Sequence, residues 1–422
     1  MKVLLKSATI IDPNSAYHKQ TKDILIRKGK IEKIANTIKA DKVRLVESPN
    51  LHVSLGWLDL QAYFCDPGYE FKEDINSGIE AASFGGYTAV CVLPDTFPVT
   101  QSKSEIEYIL SKGKNKIVDV LPLGAISQNL EGVKITEIYD MHEAGAVAFS
   151  DGRKPLSAGM LERSLLYVKP FHGIVFSHPE ESTLSKDGLM HEGATSASMG
   201  VKGAPSLAEE VAVLRDLHLT GYTGSRLHFI NISTRKSVEF IREAKSKGIE
   251  ITASVNAYNL ILDEKAVADF DTNLKVRPHL RSMDDIAALH EGLRDGTIDT
   301  ITSSHNPQDE ESKKVEFDHA EFGMIGLETC FGIARTSTKK HFRIEKLIDK
   351  LAYQPRHILK LPIEEIKNGG IANLTIFDPD LEWTFTEKHI RSKSRNTPFI
   401  GHDFVGKAIG IINNNKLYLA EN

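Results

Sequence analysis

The sequence predicts an α/β protein built on a (β/α)8 barrel with β-rich ends, and three observations carry that reading. Eight apolar strand-like segments alternate with amphipathic helical patterns through the middle of the chain: WLDLQAYF, TAVCVLP, VDVLPLGA, AVAFSD, GIVFSHPEE, RLHFINIS, EITASVNAY and TITSSHNP. The first fifty or so residues read instead as short alternating strands, and so do the last fifty-odd. The length, 422 residues, suits one large barrel plus a smaller companion.

At the N-terminal end, KVLLKSATII and DILIRKGKIEKIA are the strands, with a hairpin turn at Lys28–Lys30 around a glycine. At the C-terminal end, ANLTIFDP and AIGIINNNKLYLA repeat the style, and Asn413–Asn415 can accept the positive φ of a turn. In a (β/α)8 barrel the chemistry sits at the C-terminal ends of the strands. Those ends read QAYFCDPG, LPDTFPV, FSDG, SHPEE, INIS, SVNAYN and SSHNPQ. Only Asp151 and His178 stand out there as candidate metal ligands. On the first strand, strict alternation would place Asp59, Gln61 and Tyr63 on one face and Leu60, Ala62 and Phe64 on the other.

Composition excludes several classes. Lys and Arg number 52 against 57 Asp and Glu, a net charge of -5, so no nucleic-acid surface is advertised. There is no apolar run of about 18 residues, and MKVLLKSATIID lacks the apolar core and small-residue cleavage site of a leader, so a cytoplasmic protein without a membrane span is expected. Three scattered cysteines, Cys65, Cys91 and Cys330, argue against a disulfide framework or a cysteine zinc site, and Cys91 within TAVCVLP reads as core. The charged run DEESKKVE, residues 309–316, reads as a solvated loop.

Several long, ordered landmarks resemble the dihydroorotases of the cyclic amidohydrolase superfamily: DPGYEFKEDINSGIEAASFGGYTAVCVLPDTFPV, GAVAFSDG, HPEE, MHEG followed by GAPSLAEEVAVLRD, FINIST, DTNLKVRPHLR, LRDGTIDTITSSHNP, AEFGMIGLET and SKSRNTPFIG. The resemblance covers nearly the whole chain. It implies an amidohydrolase-type barrel over residues 55–362 and a single small β-sandwich composed of residues 1–54 and 363–422.

Active members of that family use zinc, whose bound hydroxide attacks the ring amide carbon while an aspartate on the eighth strand moves the proton. At the positions where the family has metal-binding histidines, this sequence has Gln61, Tyr63 and Asn231; where it has the proton-transfer aspartate, Ser304. Amide and neutral phenol groups are poor zinc ligands beside imidazole, and a serine hydroxyl has no useful basicity near neutral pH. At the positions of the family's substrate-carboxylate anchors stand Cys65, Asp95 and Gln308. Loss of each charge-assisted hydrogen bond costs roughly 1.5–3 kcal/mol, so dihydroorotate is expected to bind poorly. Arg277 is the possible new pocket residue, expected to pair with Asp95. His178 and Asp151 remain as remnants of a metal site; against that, His178 reads as a hydrogen-bonded structural residue and Asp151 as a loop-capping carboxylate. His305 matches a histidine that flanks the chemistry.

Two functions follow as expectations. The first is a non-catalytic dihydroorotase-like partner of aspartate carbamoyltransferase, with no cofactor expected and zinc at most at low occupancy. The alternative is an active dihydroorotase or related cyclic amidohydrolase with an atypical site. A homo-oligomer is expected in either case, with no nucleic-acid or membrane partner.

Overall fold

The computed structural model describes residues 1–420. Eight parallel strands follow one another in chain order: Trp57–Ala62, Tyr87–Val92, Asp119–Gly124, Ala148–Phe149, Val175–Ser177, Leu227–Phe229, Ile251–Asn256 and Thr300–Thr302. The first and last meet where the Tyr63 amide donates to the His305 carbonyl at 2.9 Å, which closes the barrel. One strand face, including Leu58, Leu60, Ala89, Cys91, Leu123 and Phe176, forms an inner cluster to which Ile358 and Leu359 also belong. The other face, with Val90, Val92, Val120 and Phe229, packs on helix residues such as Ile79, Ile106 and Ile241. Cys91 is core, and all three cysteines are free.

Several helices begin where the sequence supplies caps. Asp74 accepts from the Asn76 and Ser77 amides ahead of Ile75–Gly85, and Thr234 accepts from Ser237 ahead of Arg235–Ser246. The helix Leu207–Thr223, from the segment GAPSLAEEVAVLRD onward, is the longest, and none of the described helices is long and apolar enough to cross a membrane.

The two chain ends share one mostly antiparallel eight-stranded sheet, in the order 416–419, 403–413, 374–384, 52–55, 2–11, 21–27, 30–35, with 44–46 beside 2–11. Its core includes Val3, Leu5, Ile24, Ile26, Leu374 and Ile412. The hairpin turns fall at Lys28 and Gly29 (φ 50° and 76°) and at Asn414 and Asn415 (φ 49° and 57°). Asn413 ends its strand, and its amide donates to the Ile117 carbonyl. Trp57 joins sheet to barrel: its amide donates to Thr375 Oγ1 at 3.0 Å, and its ring packs 4.5 Å from Phe331 and 5.5 Å from Phe377.

The first barrel strand departs from strict alternation. Asp59 pairs with Val90 and Ala62 with Val92, so three steps on one strand match two on the other. This bulge turns Leu60 inward with Tyr63, while Ala62 and Phe64 face outward. Asp59 therefore leaves the face of Gln61 and Tyr63. Its carboxylate instead accepts from the Ser303 amide (3.0 Å) and hydroxyl, tying the first strand to the eighth.

Candidate active site

Gln61, at the end of the first strand, meets Asn231, just past the sixth. Asn231 Nδ2 donates to Gln61 Oε1, and Asn231 Oδ1 accepts from Ser254 Oγ (3.0 Å) and Thr302 Oγ1 (2.7 Å). Thr302 also reaches Asn256 Oδ1 at 3.3 Å, and Asn256 Nδ2 donates to Tyr258 at 2.8 Å. Ser304, at φ 47°, lies beside the Tyr258 hydroxyl. A chain of amides and hydroxyls thus spans the first, sixth, seventh and eighth strand ends.

Tyr63 is 5% exposed. Burial, and then the Asp95 carboxylate, hold its phenol well above its usual pKa; Gln61 is near enough to temper that shift, yet the hydroxyl completes no well-formed hydrogen bond. The Arg153 guanidinium lies 4.7 Å from the ring centroid. Arg153 also meets Asp95, through its amide at 3.4 Å and its Nε at 3.8 Å from Oδ2. Burial outweighs this cation and leaves the Asp95 pKa raised, and Oδ1 has no partner.

The expected Arg277–Asp95 pair does not form. Arg277 NH1 lies 3.4 Å from Glu180 Oε1, with its guanidinium 4.5 Å from the Phe322 ring centroid. Arg153 takes Asp95 because it directly follows Asp151–Gly152 on the fourth-strand loop. A Cβ on Gly152 would stand 1.5 Å from Asp95 Oδ1, so that loop and Asp95 interlock only through a glycine. Sequence reasoning missed Arg153 and Glu180; the signal for the first was the glycine–arginine step after Asp151.

His178 Nε2 donates to Glu180 Oε2 at 3.1 Å. Burial alone would raise the Glu180 pKa, but His178 and Arg277 hold it well below the usual carboxylate range. His279, driven to its neutral form by burial and then by Arg281 and Arg277, leaves Nε2 without a partner. Asp151 accepts from the Ile126 and Ser127 amides, both at 2.8 Å, and from the Ser127 hydroxyl, which makes it a loop cap. His305 is fully buried between Glu73 (3.3 Å) and the amides of Gly326 and Leu327.

The three anchor positions line one cavity of about 640 Å3 with Tyr63, Arg153 and Lys72. Cys65 is held by burial, then by Glu73, at a thiol pKa of about 12. Gln308 Oε1 accepts from Lys72 at 2.8 Å, and its Nε2 donates to the Phe322 carbonyl at 3.0 Å. His178, Asn231 and Arg277 line a separate, much smaller void. The run 309–316 is not wholly solvated. Lys313 is buried, donates to the carbonyls of Thr272 (2.6 Å) and Glu321 (2.7 Å), and is brought down to about 7 by burial and then by Lys275.

A family model described as Dihydro-orotase-like matches residues 52–237. The dihydroorotase of Pelotomaculum thermopropionicum is 41% identical over 404 residues, covering 95% of this chain and 94% of that protein. The dihydroorotase of Syntrophus aciditrophicus is 39% identical over 414 residues, covering 97% of each. The chain belongs to the dihydroorotase family.

Its fold is that of the amidohydrolases. The L-hydantoinase (dihydropyrimidinase) of Arthrobacter aurescens superposes with a TM-score of 0.84 over 98% of this chain and 95% of that one at 24% identity, and a D-hydantoinase with 0.83 at 22%. Dihydroorotases are generally zinc-dependent, and in this chain the donors at the family's metal positions are otherwise engaged. Gln61 Oε1 and Asn231 Oδ1 already accept protein hydrogen bonds, and the Tyr63 phenol keeps its proton. That set does not fit zinc, which takes imidazole, thiolate or carboxylate. Among the described residues no group of three or more His, Cys, Asp or Glu side chains is gathered to hold a metal ion.

Proposed function

We propose that this dihydroorotase-family chain has a degraded metal and substrate site, performs no dihydroorotase turnover, and serves as a non-catalytic partner of aspartate carbamoyltransferase. The observation that carries the reading is the direct Gln61–Asn231 contact: two groups that would have to converge on a metal converge on each other, and Ser254 and Thr302 occupy the remaining acceptor. Ser304 stands where the family has its proton-transfer aspartate, and an alcohol with no adjacent base moves no proton at neutral pH. The substrate side supports the same reading. In the 640 Å3 cavity Asp95 stands at a position where the family binds a carboxylate, and it already engages Arg153, the cation nearest that position.

The competing reading, an active dihydroorotase with an atypical site, draws on relatives that are named dihydroorotase, at 41% and 39% identity for the two described above. One experiment separates the two: carbamoyl-aspartate cyclisation by the purified protein, with its zinc content measured in parallel. The proposal expects no cyclisation and well under one zinc per chain; turnover with a retained equivalent of zinc establishes the competitor. The partner is tested by co-expression with aspartate carbamoyltransferase from the same cell and size-exclusion chromatography. A permanent interface of about 2,000 Å2 would give co-elution at micromolar concentration and a more heat-stable transferase. Separate elution, with the transferase equally stable alone, overturns the partnership.

A further inference from the structure

Beside the barrel mouth, and sharing Gln308 with it, lies a second cleft of about 410 Å3. Three cationic side chains, Lys314, Lys393 and Arg395, line it with Lys313, whose burial brings its pKa to about 7, against two acidic ones, Asp309 and Glu310. The balance is notable in a chain whose overall charge is -5. The Arg395 guanidinium has no hydrogen-bond or ion-pair partner among the described residues. Lys314 meets only the solvent-exposed Glu310, a contact that contributes little and is readily exchanged. Lys393 is partly exposed and reaches the Glu70 carbonyl at 2.9 Å and the Asp74 carboxylate. Buried Lys313, fixed by two carbonyls, gives this wall a rigid base.

Phe71 overhangs the same cleft with 64% of its surface open to water, and Tyr69 props it edge-on at 6.4 Å between centroids. A lone exposed phenylalanine needs no explanation; one set at the rim of a cationic cleft, with the Lys72 ammonium 5.8 Å from its centroid, offers a face to a planar group whose charged end meets the bases. Arg and Lys suit phosphate oxygens, and an aromatic face suits a nucleobase of any identity.

We propose that this cleft binds a free nucleotide, its base stacked on Phe71 and its phosphates on Arg395, Lys393 and Lys314. The site is separate from the Gln61–Asn231 cluster, so its test is independent of the turnover assay.

The experiment is calorimetric titration of the full chain with ATP, UTP and inorganic pyrophosphate. The same titrations are made on Phe71→Ala and Arg395→Ala, both exposed positions whose melting temperatures should match the parent. The expected result is binding of both nucleotides, weakened about tenfold by either substitution, with pyrophosphate binding about tenfold more weakly and indifferent to Phe71→Ala. No nucleotide binding, binding untouched by both substitutions, or pyrophosphate binding as tightly as the nucleotides overturns the proposal. Tighter binding of a short single-stranded oligonucleotide than of either mononucleotide would also overturn it, since the occupant would then be a polymer.

Discussion

Two sets of buried polar groups lie around the ends of the barrel strands, and they are treated in opposite ways. Around the rim, carboxylates clasp backbone. Asp59 holds the Ser303 amide and hydroxyl, Asp151 holds Ile126 and Ser127, and Glu209 holds the Ser233 amide (2.9 Å), the Ser233 hydroxyl and the Thr234 amide (3.0 Å). In the centre, beside the satisfied Gln61–Asn231 network, the Tyr63 hydroxyl, Asp95 Oδ1, Arg277 Nε and His279 Nε2 complete no well-formed hydrogen bond in the protein. A buried donor or acceptor without a partner is unfavourable by about 1–3 kcal/mol, so the rim clasps stabilise the barrel where these central groups do not. The centre carries polar groups that folding alone would not install. The contrast marks the clasps as framework, and under the proposed function the centre is what remains of a site.

The contrast predicts its largest effect at the rim. Removing the Glu209 carboxylate strands the Ser233 and Thr234 donors and leaves Arg281, which is 5% exposed and 3.7 Å from Glu209, as an uncompensated buried cation. Glu209→Ala should lower unfolding stability by about 3–5 kcal/mol in urea titrations. A loss below about 1 kcal/mol would dissolve the distinction between rim and centre.

A smaller effect separates the clasps by pH. Burial raises the Asp59 pKa from 3.8 to about 6, against the Ser303 hydrogen bonds. Between about pH 4 and 6 the folded chain keeps a proton that the unfolded chain has released. The associated stability is therefore fully present below pH 4 and is lost as pH rises through 6. Asp59→Asn removes this titration while retaining an acceptor for Ser303. The stability of the parent relative to the variant should accordingly rise by on the order of 2 kcal/mol from pH 7 to pH 4. A flat difference would mean that Asp59 is ionised in the fold.

Much of the framework was legible because it is local. The barrel strands are apolar runs with turn residues at their ends, and both hairpins announce themselves through Gly29 and the Asn414–Asn415 pair. The site positions were legible only through the resemblance, since no periodicity marks Gln61 or Asn231. What stayed hidden depends on geometry between distant segments. A bulge between Asp59 and Ala62 has no signature in an alternating pattern, so the face of Asp59 was misassigned. Which arginine reaches Asp95 is set by the fourth-strand loop, where Gly152 makes room; the glycine–arginine step after Asp151 was the one local hint, and it does not say which distant carboxylate Arg153 will meet. Lys313 looked solvated because its neighbours in sequence are charged, while its partners, Thr272 and Glu321, are supplied by the folded loops.

The centre itself can be altered with less consequence. Gln61→His with Tyr63→His removes the acceptor of the Asn231 amide and should lower stability by about 1–2 kcal/mol in the absence of metal. The pair should recover zinc, together with His178, more readily than turnover, because Ser304, Cys65, Asp95 and Gln308 are unchanged. Metal analysis and carbamoyl-aspartate cyclisation on the double variant decide this. Substantial activity would show that the damage at those four positions had been overrated.

The smallest effect belongs to Tyr63. Its ring is buried against the inner cluster and beneath Arg153, while its hydroxyl, with Gln61 nearby, completes no well-formed hydrogen bond in the protein. Tyr63→Phe keeps the ring packing and the cation over its face, and deletes only a hydroxyl that completes no well-formed hydrogen bond. Taking an unmatched hydroxyl out of a low-dielectric site removes a desolvation penalty and breaks no bond, so stability should stay within about 0.5 kcal/mol of the parent or rise by about 1 kcal/mol. Chemical denaturation of parent and variant at neutral pH measures it. A loss of more than about 1 kcal/mol would mean that the hydroxyl has a partner in solution, an ordered water or a ligand in the 640 Å3 cavity. The centre would then be a working polar site in its own right, and the contrast with the rim would narrow to one of chemistry rather than of use.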